Sequence, residues 1–182
     1  MKHALDFWYF TETSDAGDPV AVESSADLER VLGEVFAYKQ FHPTVVCVKD
    51  RPALGGPLNL PDHQLKFDLD VPRRVAAIHA MGVPDFLPAD DRAKVNAEGH
   101  GTAEETPGGV MRAWVTKGSR ARPATVRQAD DHEVDLFVDF DTRTRFPADA
   151  AISWEELREA LKELAETGMR PTCVDWQESD VF

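Results

Sequence analysis

Two stretches of the chain repeat their apolar positions with a helical period. In residues 24–40, Leu28, Val31, Leu32, Val35 and Phe36 fall at i, i+3, i+4, i+7 and i+8, one apolar stripe facing a core. Ser24 or Ser25 supplies the cap, because a serine hydroxyl accepts from a free first-turn amide. In residues 153–168, Leu157, Leu161 and Leu164 make the inner stripe with Ala160 beside them. Ser153 and Glu156 have the spacing of a capping box. Gly168 suits the left-handed position that ends a helix, and Pro171 prevents the helix from resuming.

The remaining apolar residues come in short runs or alternate. Residues 4–10 are aromatic-rich and suit a first strand, and 20–23 a short second one. The β-branched run at 44–50 predicts a central strand. In residues 64–71, Leu65, Phe67 and Leu69 alternate with Lys66, Asp68 and Asp70, as in a half-buried strand. Residues 74–82, 110–115 and 133–140 also read as strands, and 171–176 as a final strand buried through Trp176. Residues 51–63 are broken by Pro and Gly and predict a loop. Residues 84–109 lose all periodicity and predict a long loop or insertion. With no repeat and no boundary, the chain reads as one domain over 1–182.

Composition narrows the function classes. With 42% hydrophobic residues in 182, the chain can bury a core. Its net charge of −13 repels nucleic acid and anionic lipid. It attracts a basic partner, including a protein that itself binds nucleic acid, although solubility alone would give the same bias. Cys47 and Cys173 form no CxxC pair. The opening MKHALDFWYF lacks an apolar signal core, and no apolar run nears the roughly 20 residues of a membrane span. The expected compartment is the cytoplasm.

Candidate chemistry is sparse. Asp130, Asp131, His132 and Glu133 are adjacent, but neighbours on a strand point to opposite faces, so adjacency makes no metal cage. Residues 99–109 are glycine-rich without the pattern of a phosphate loop. Cys47 lies in an apolar run and Cys173 in the expected last strand, so both read as packed, inert thiols. No GxSxG elbow is present. No cofactor is predicted. The basic turn at 118–123 is the one positive patch in its half of the chain.

The strand at 133–140 is more informative. Val134, Leu136, Val138 and Phe140 make a core face. Glu133, Asp135, Phe137, Asp139 and Asp141 make an acidic face with an aromatic in its middle. That face is either an ordinary solvated surface or a docking strip, on which charge steers a basic partner and the ring anchors it.

Residues 140–177, FDTRTRFPADAAISWEELREALKELAETGMRPTCVDWQ, hold an ordered set of features: FPADA, the helix capped by Ser153 and Glu156, Gly168, the turn at Arg170 and Pro171, and VDWQ with Trp176. In that order they resemble an immunity-protein family of bacterial polymorphic toxin systems, the first-numbered of its series, usually encoded beside toxins of the deaminase superfamily. The resemblance implies an α+β fold, here a mostly antiparallel sheet with two principal helices packed on it. It also implies a non-enzymatic role and a toxin partner, with the motif residues as scaffold. The chain itself lacks the zinc deaminase signature, H-x-E followed by P-C-x-x-C. The resulting expectation is an antitoxin that occludes the toxin's active-site cleft. The rival readings are a small metal-dependent hydrolase using Asp130, Asp131 and His132, and a regulatory protein-binding module.

Overall fold

The computed structural model describes residues 1–54, 59–97, 111–118 and 135–181. Strands β1 (Leu5–Trp8) and β2 (Val20–Val22) are followed by helix α1 (Ser25–Ala37) and by β3 (Thr44–Val48). Next come β4 (His63–Asp70), β5 (Val75–Gly82) and helix α2 (Ala89–Ala97). Strands β6 (Arg112–Lys117), β7 (Phe137–Asp139), β8 (Thr144–Arg145) and β9 (Ile152–Ser153) lead into helix α3 (Trp154–Thr167) and the last strand β10 (Asp175–Ser179).

One antiparallel sheet runs in the order β10-β6-β5-β4-β3-β1-β2, with β9 paired to β5, and β7 and β8 form a separate hairpin. This is the expected α+β architecture. Alternation within each strand divides the apolar residues between the two sheet faces. Phe7, Val46, Leu65, Phe67, Ile78 and Trp114 meet the stripes of α1 and α3 in the main core. Leu28, Val31, Leu32, Leu157, Leu161 and Leu164 are fully buried there, each contributing about 1.5–3 kcal/mol. On the opposite face, Ala77 and Val115 pack against Leu136, Val138, Phe146 and Ala150. The β7–β8 hairpin therefore covers the side of the sheet away from the two long helices.

Both long helices begin as their sequences predict. The Ser24 hydroxyl accepts from the Asp27 amide at 3.1 Å. Ser153 Oγ accepts from the Glu156 amide, while Glu156 Oε2 accepts from the Ser153 amide at 2.7 Å, completing the capping box. Among the described residues no helix is long and apolar enough to cross a membrane.

Three expectations are corrected. Residues 84–97 are not loop: Pro84–Phe86 form a 3-10 turn and α2 follows. This helix carries good formers and acidic residues in its first turn but no apolar stripe, so periodicity missed it. The last strand starts at Asp175, not at 171, because the Glu163 carboxylate accepts from the Thr172 and Cys173 amides and holds that segment off the sheet. Of the expected strand at 133–140, the described residues from 135 onward form strand over Phe137–Asp139. Asp139 Oδ1 accepts from the Asp141 and Thr142 amides, and Arg143 takes a positive φ of 56°. The chain turns there, so Phe140, expected in the core, is 51% exposed.

Candidate functional site

A groove of about 450 Å³ opens where three parts of the chain meet: the end of α1 with the segment to Pro43, the end of β4 to Pro72, and the β7–β8 hairpin. Phe36, Tyr38, Phe41, His42, Phe137 and Phe140 bring rings to its walls. Phe137 and Phe140 pack edge to face at 5.1 Å between centroids, and His42 lies 6.3 Å from Phe140. Phe10 lies 5.8 Å from His42 and 5.5 Å from Phe41, which in turn lies 6.5 Å from Tyr38. The rings thus run without a break from the hairpin to the C-terminal end of α1. Phe36 lines the groove and stacks on Trp154 at 4.1 Å, which ties the wall to the main core. A neighbouring hollow of about 400 Å³, lined by Trp8, Phe10, Cys47 and Gln64, shares His42 and Pro43 with it.

Asp68, Asp70 and Asp135 bring carboxylates to this aromatic surface. Asp68 Oδ2 accepts from the Phe137 amide and Oδ1 from the Leu69 amide, each at 2.8 Å. It therefore pins the hairpin to the sheet. Burial pushes its carboxyl up. The two backbone hydrogen bonds oppose that, and Asp135 and Asp70 nearby add to it.

Of the acidic strip read from sequence, Asp135 and Phe137 line the groove. Asp135 is exposed and pairs with Arg145 at 3.1 Å. Asp139 caps the hairpin turn. Its hydrogen bond from the Thr142 amide is the main reason that its carboxyl is held below the usual range. Asp141 is exposed, with its carboxylate 4.0 Å from His42 Nδ1. Glu133 lies outside the described residues, as do Asp130, Asp131 and His132. Among the described residues no group of three His, Cys, Asp or Glu could hold a metal ion. Sequence reasoning missed Asp68, Phe140, Phe41 and His42. Asp68 reads as one of the solvated residues of an alternating strand until the hairpin covers it.

The closing motif is scaffold in its geometry. Gly168 has φ +67° and its amide donates to the Leu164 carbonyl at 2.8 Å. Arg170 is 5% exposed and sits over Trp114 at 4.5 Å and Trp176 at 5.3 Å. Its Nη2 donates to Asp91 of α2 at 2.6 Å, and its amide donates to the Phe86 carbonyl. Burial pushes this guanidinium down, against the pull of Asp91. Trp176 is half-buried against the core, and its indole donates to the Pro171 carbonyl at 2.7 Å.

A second polar cluster resembles catalytic machinery without being able to act as such. His63 Nδ1 lies 2.7 Å from Asp62, and Arg51 brackets the same carboxylate. The ring is fully enclosed, and its Nε2 accepts from the Val48 amide at 2.7 Å. Both nitrogens are engaged, so no proton can be exchanged with a substrate. Arg51 also donates to the Gly168 carbonyl at 3.1 Å, so the cluster locks the end of α3. Both thiols are pushed up to about 12, chiefly by burial. Cys173, expected in a strand, lies instead in the exposed bend held by Glu163.

Residues 16–178 match the family model described as Immunity protein Imm1. The chain belongs to the Imm1 immunity-protein family. No curated protein and no solved structure matches it. The Imm1 match takes in both the aromatic groove and the closing motif. Membership carries an immunity role and, with it, a cognate toxin as partner.

Proposed function

We propose that this Imm1 protein is a cytoplasmic antitoxin that binds a deaminase-superfamily toxin and neutralises it by occluding the active-site cleft. It does no chemistry of its own and acts as one domain over residues 1–182. The observation that carries the reading is the family match over residues 16–178. The kind of toxin comes from the resemblance of residues 134–177. Charge supports a target that handles nucleic acid. Such a toxin has a basic substrate cleft, and a partner of net charge −13 is drawn to it. Acidic side chains then stand where substrate phosphates would lie. The docking surface is the acidic strip of Glu133, Asp135, Phe137, Asp139 and Asp141. Asp135 and Asp141 project into solvent, while Phe137 lies at the groove edge as an aromatic anchor.

The test is co-expression with the toxin domain encoded beside this gene. Cells carrying both survive and the two proteins co-purify; cells carrying the toxin alone die. Death despite abundant, folded protein would overturn the reading.

A further inference from the structure

Among the described residues, Asp68 differs from the other carboxylates of the groove in pairing with no cation. Asp70 pairs with Arg73 and Asp135 with Arg145. Among the described residues Asp68 forms no ion pair, and the carboxylates of Asp135 and Asp70 bear on it. Each of its oxygens takes one backbone N–H, at 2.8 Å. An ionised carboxylate offers about four acceptor positions, so about two remain for a further donor. Desolvation without a compensating cation is costly, and an incoming guanidinium would relieve it.

The walls around Asp68 suit the same visitor. Phe41 and Phe140 are 49% and 51% exposed, two of the five large apolar side chains at the surface among the described residues. Rings at this site already hold cations: Lys39 lies 5.8 Å from the Phe41 centroid and Arg145 lies 5.6 Å from that of Phe137. A hollow of about 450 Å³ is at the small end of ligand pockets, a size for a side chain rather than a folded element.

Taking the antitoxin reading as given, we infer that the groove receives one arginine of the toxin, its guanidinium on Asp68 and its stem among the rings of Phe41, Phe137 and Phe140. Arginine fits better than lysine because its planar head stacks on rings while donating in a fork to a carboxylate. Affinity then concentrates in this buried, desolvated contact, and the exposed acids of the strip govern approach.

The experiment measures, by calorimetry, the Kd of the toxin domain encoded beside this gene for three proteins: wild type, Asp68→Asn, and the double variant Phe41→Ala/Phe140→Ala. Both variants are expected to bind roughly tenfold more weakly or worse. Asp68 also holds the Phe137 amide, so Asp68→Asn can loosen the hairpin. The double variant removes only half-exposed rings and decides the matter, with its melting temperature as the check on folding. Replacing the toxin's arginines one at a time by alanine should find one whose loss weakens wild type equally and Asp68→Asn no further. Wild-type affinity in the folded double variant would overturn the groove assignment and leave the antitoxin reading standing. Absence of binding by wild type would overturn both.

Discussion

Replacing Gly168 with valine tests the closing motif. The residue ends α3 at φ +67°, a left-handed conformation that costs an L-residue roughly 1–2 kcal/mol and a β-branched one the upper part of that range. A Cβ built there would lie 3.1 Å from His3 Nε2 and 3.3 Å from two ring carbons. That contact is tighter than ordinary packing, but His3 is only partly buried and can swing aside at a cost of a few tenths of a kcal/mol. The two effects together give about 2 kcal/mol. For a chain of this length that lowers Tm by roughly 4–8 °C. Movement of the cap would also strain the bond from Arg51 to the Gly168 carbonyl and so reach the enclosed Asp62–His63 pair. The assay is thermal and urea unfolding followed by circular dichroism, with Gly168→Asn as a control that tolerates the left-handed conformation better. A valine variant melting within about 1 °C of wild type would refute the assignment of a strained cap.

Gly33→Ala should act in the opposite direction: it lies within α1 with open space where the added methyl would sit, so about 0.5–1 kcal/mol of stability is gained, read as a higher melting temperature. Arg170→Met keeps the stem between Trp114 and Trp176 but removes the guanidinium from Asp91, which retains Lys94 at 2.9 Å. Because Asp91 keeps Lys94 and some solvent contact, the loss should be about 1.5–3 kcal/mol, the range for a hydrogen bond between charged groups, measured by urea titration. Burial holds His63 and His79 below the usual histidine value, so the unfolded chain takes up protons that the folded one refuses. Stability is therefore fully present above about pH 6.5 and falls as the pH drops below it. Asp68, with its carboxyl pushed up, acts in the opposite sense nearer the carboxylate range. Urea titrations that give equal stability at about pH 7.5 and 5.5 would contradict the enclosure of these rings.

Local chemistry makes α3 readable from its sequence. The capping box, the leucine stripe and Gly168 all signal one helix, and each signal lies within a few residues of the next. The stripe of α1 and the alternation in β4 are equally local. The groove is not readable in this way, because its walls come from residues 35–43, 68–72 and 135–140, and only the sheet brings them together. Period-two reasoning places Phe140 in the core. One carboxylate, Asp139, captures two amides and turns the chain a residue too early for that. A similar capture by Glu163 delays the last strand. Helix α2 escapes notice because propensity without a stripe leaves no period, and its side chain Asp91 is tied to the end of the chain by a distant arginine, Arg170. The pairing of Asp62 with His63 has no local signature that marks it as structural rather than catalytic. Only the enclosed ring and the Val48 amide on its Nε2 decide that.

The central claim is that this chain silences a toxin by binding over its active site. The most direct measurement adds the purified protein in steps to the toxin domain encoded beside its gene and follows the toxin's activity, which the proposed reading takes to be deamination of nucleic acid. Occlusion predicts that activity falls in a straight line and vanishes at one molecule of protein per toxin, and that excess substrate slows the onset by competing for the same cleft. Full toxin activity in the presence of excess folded protein would contradict it.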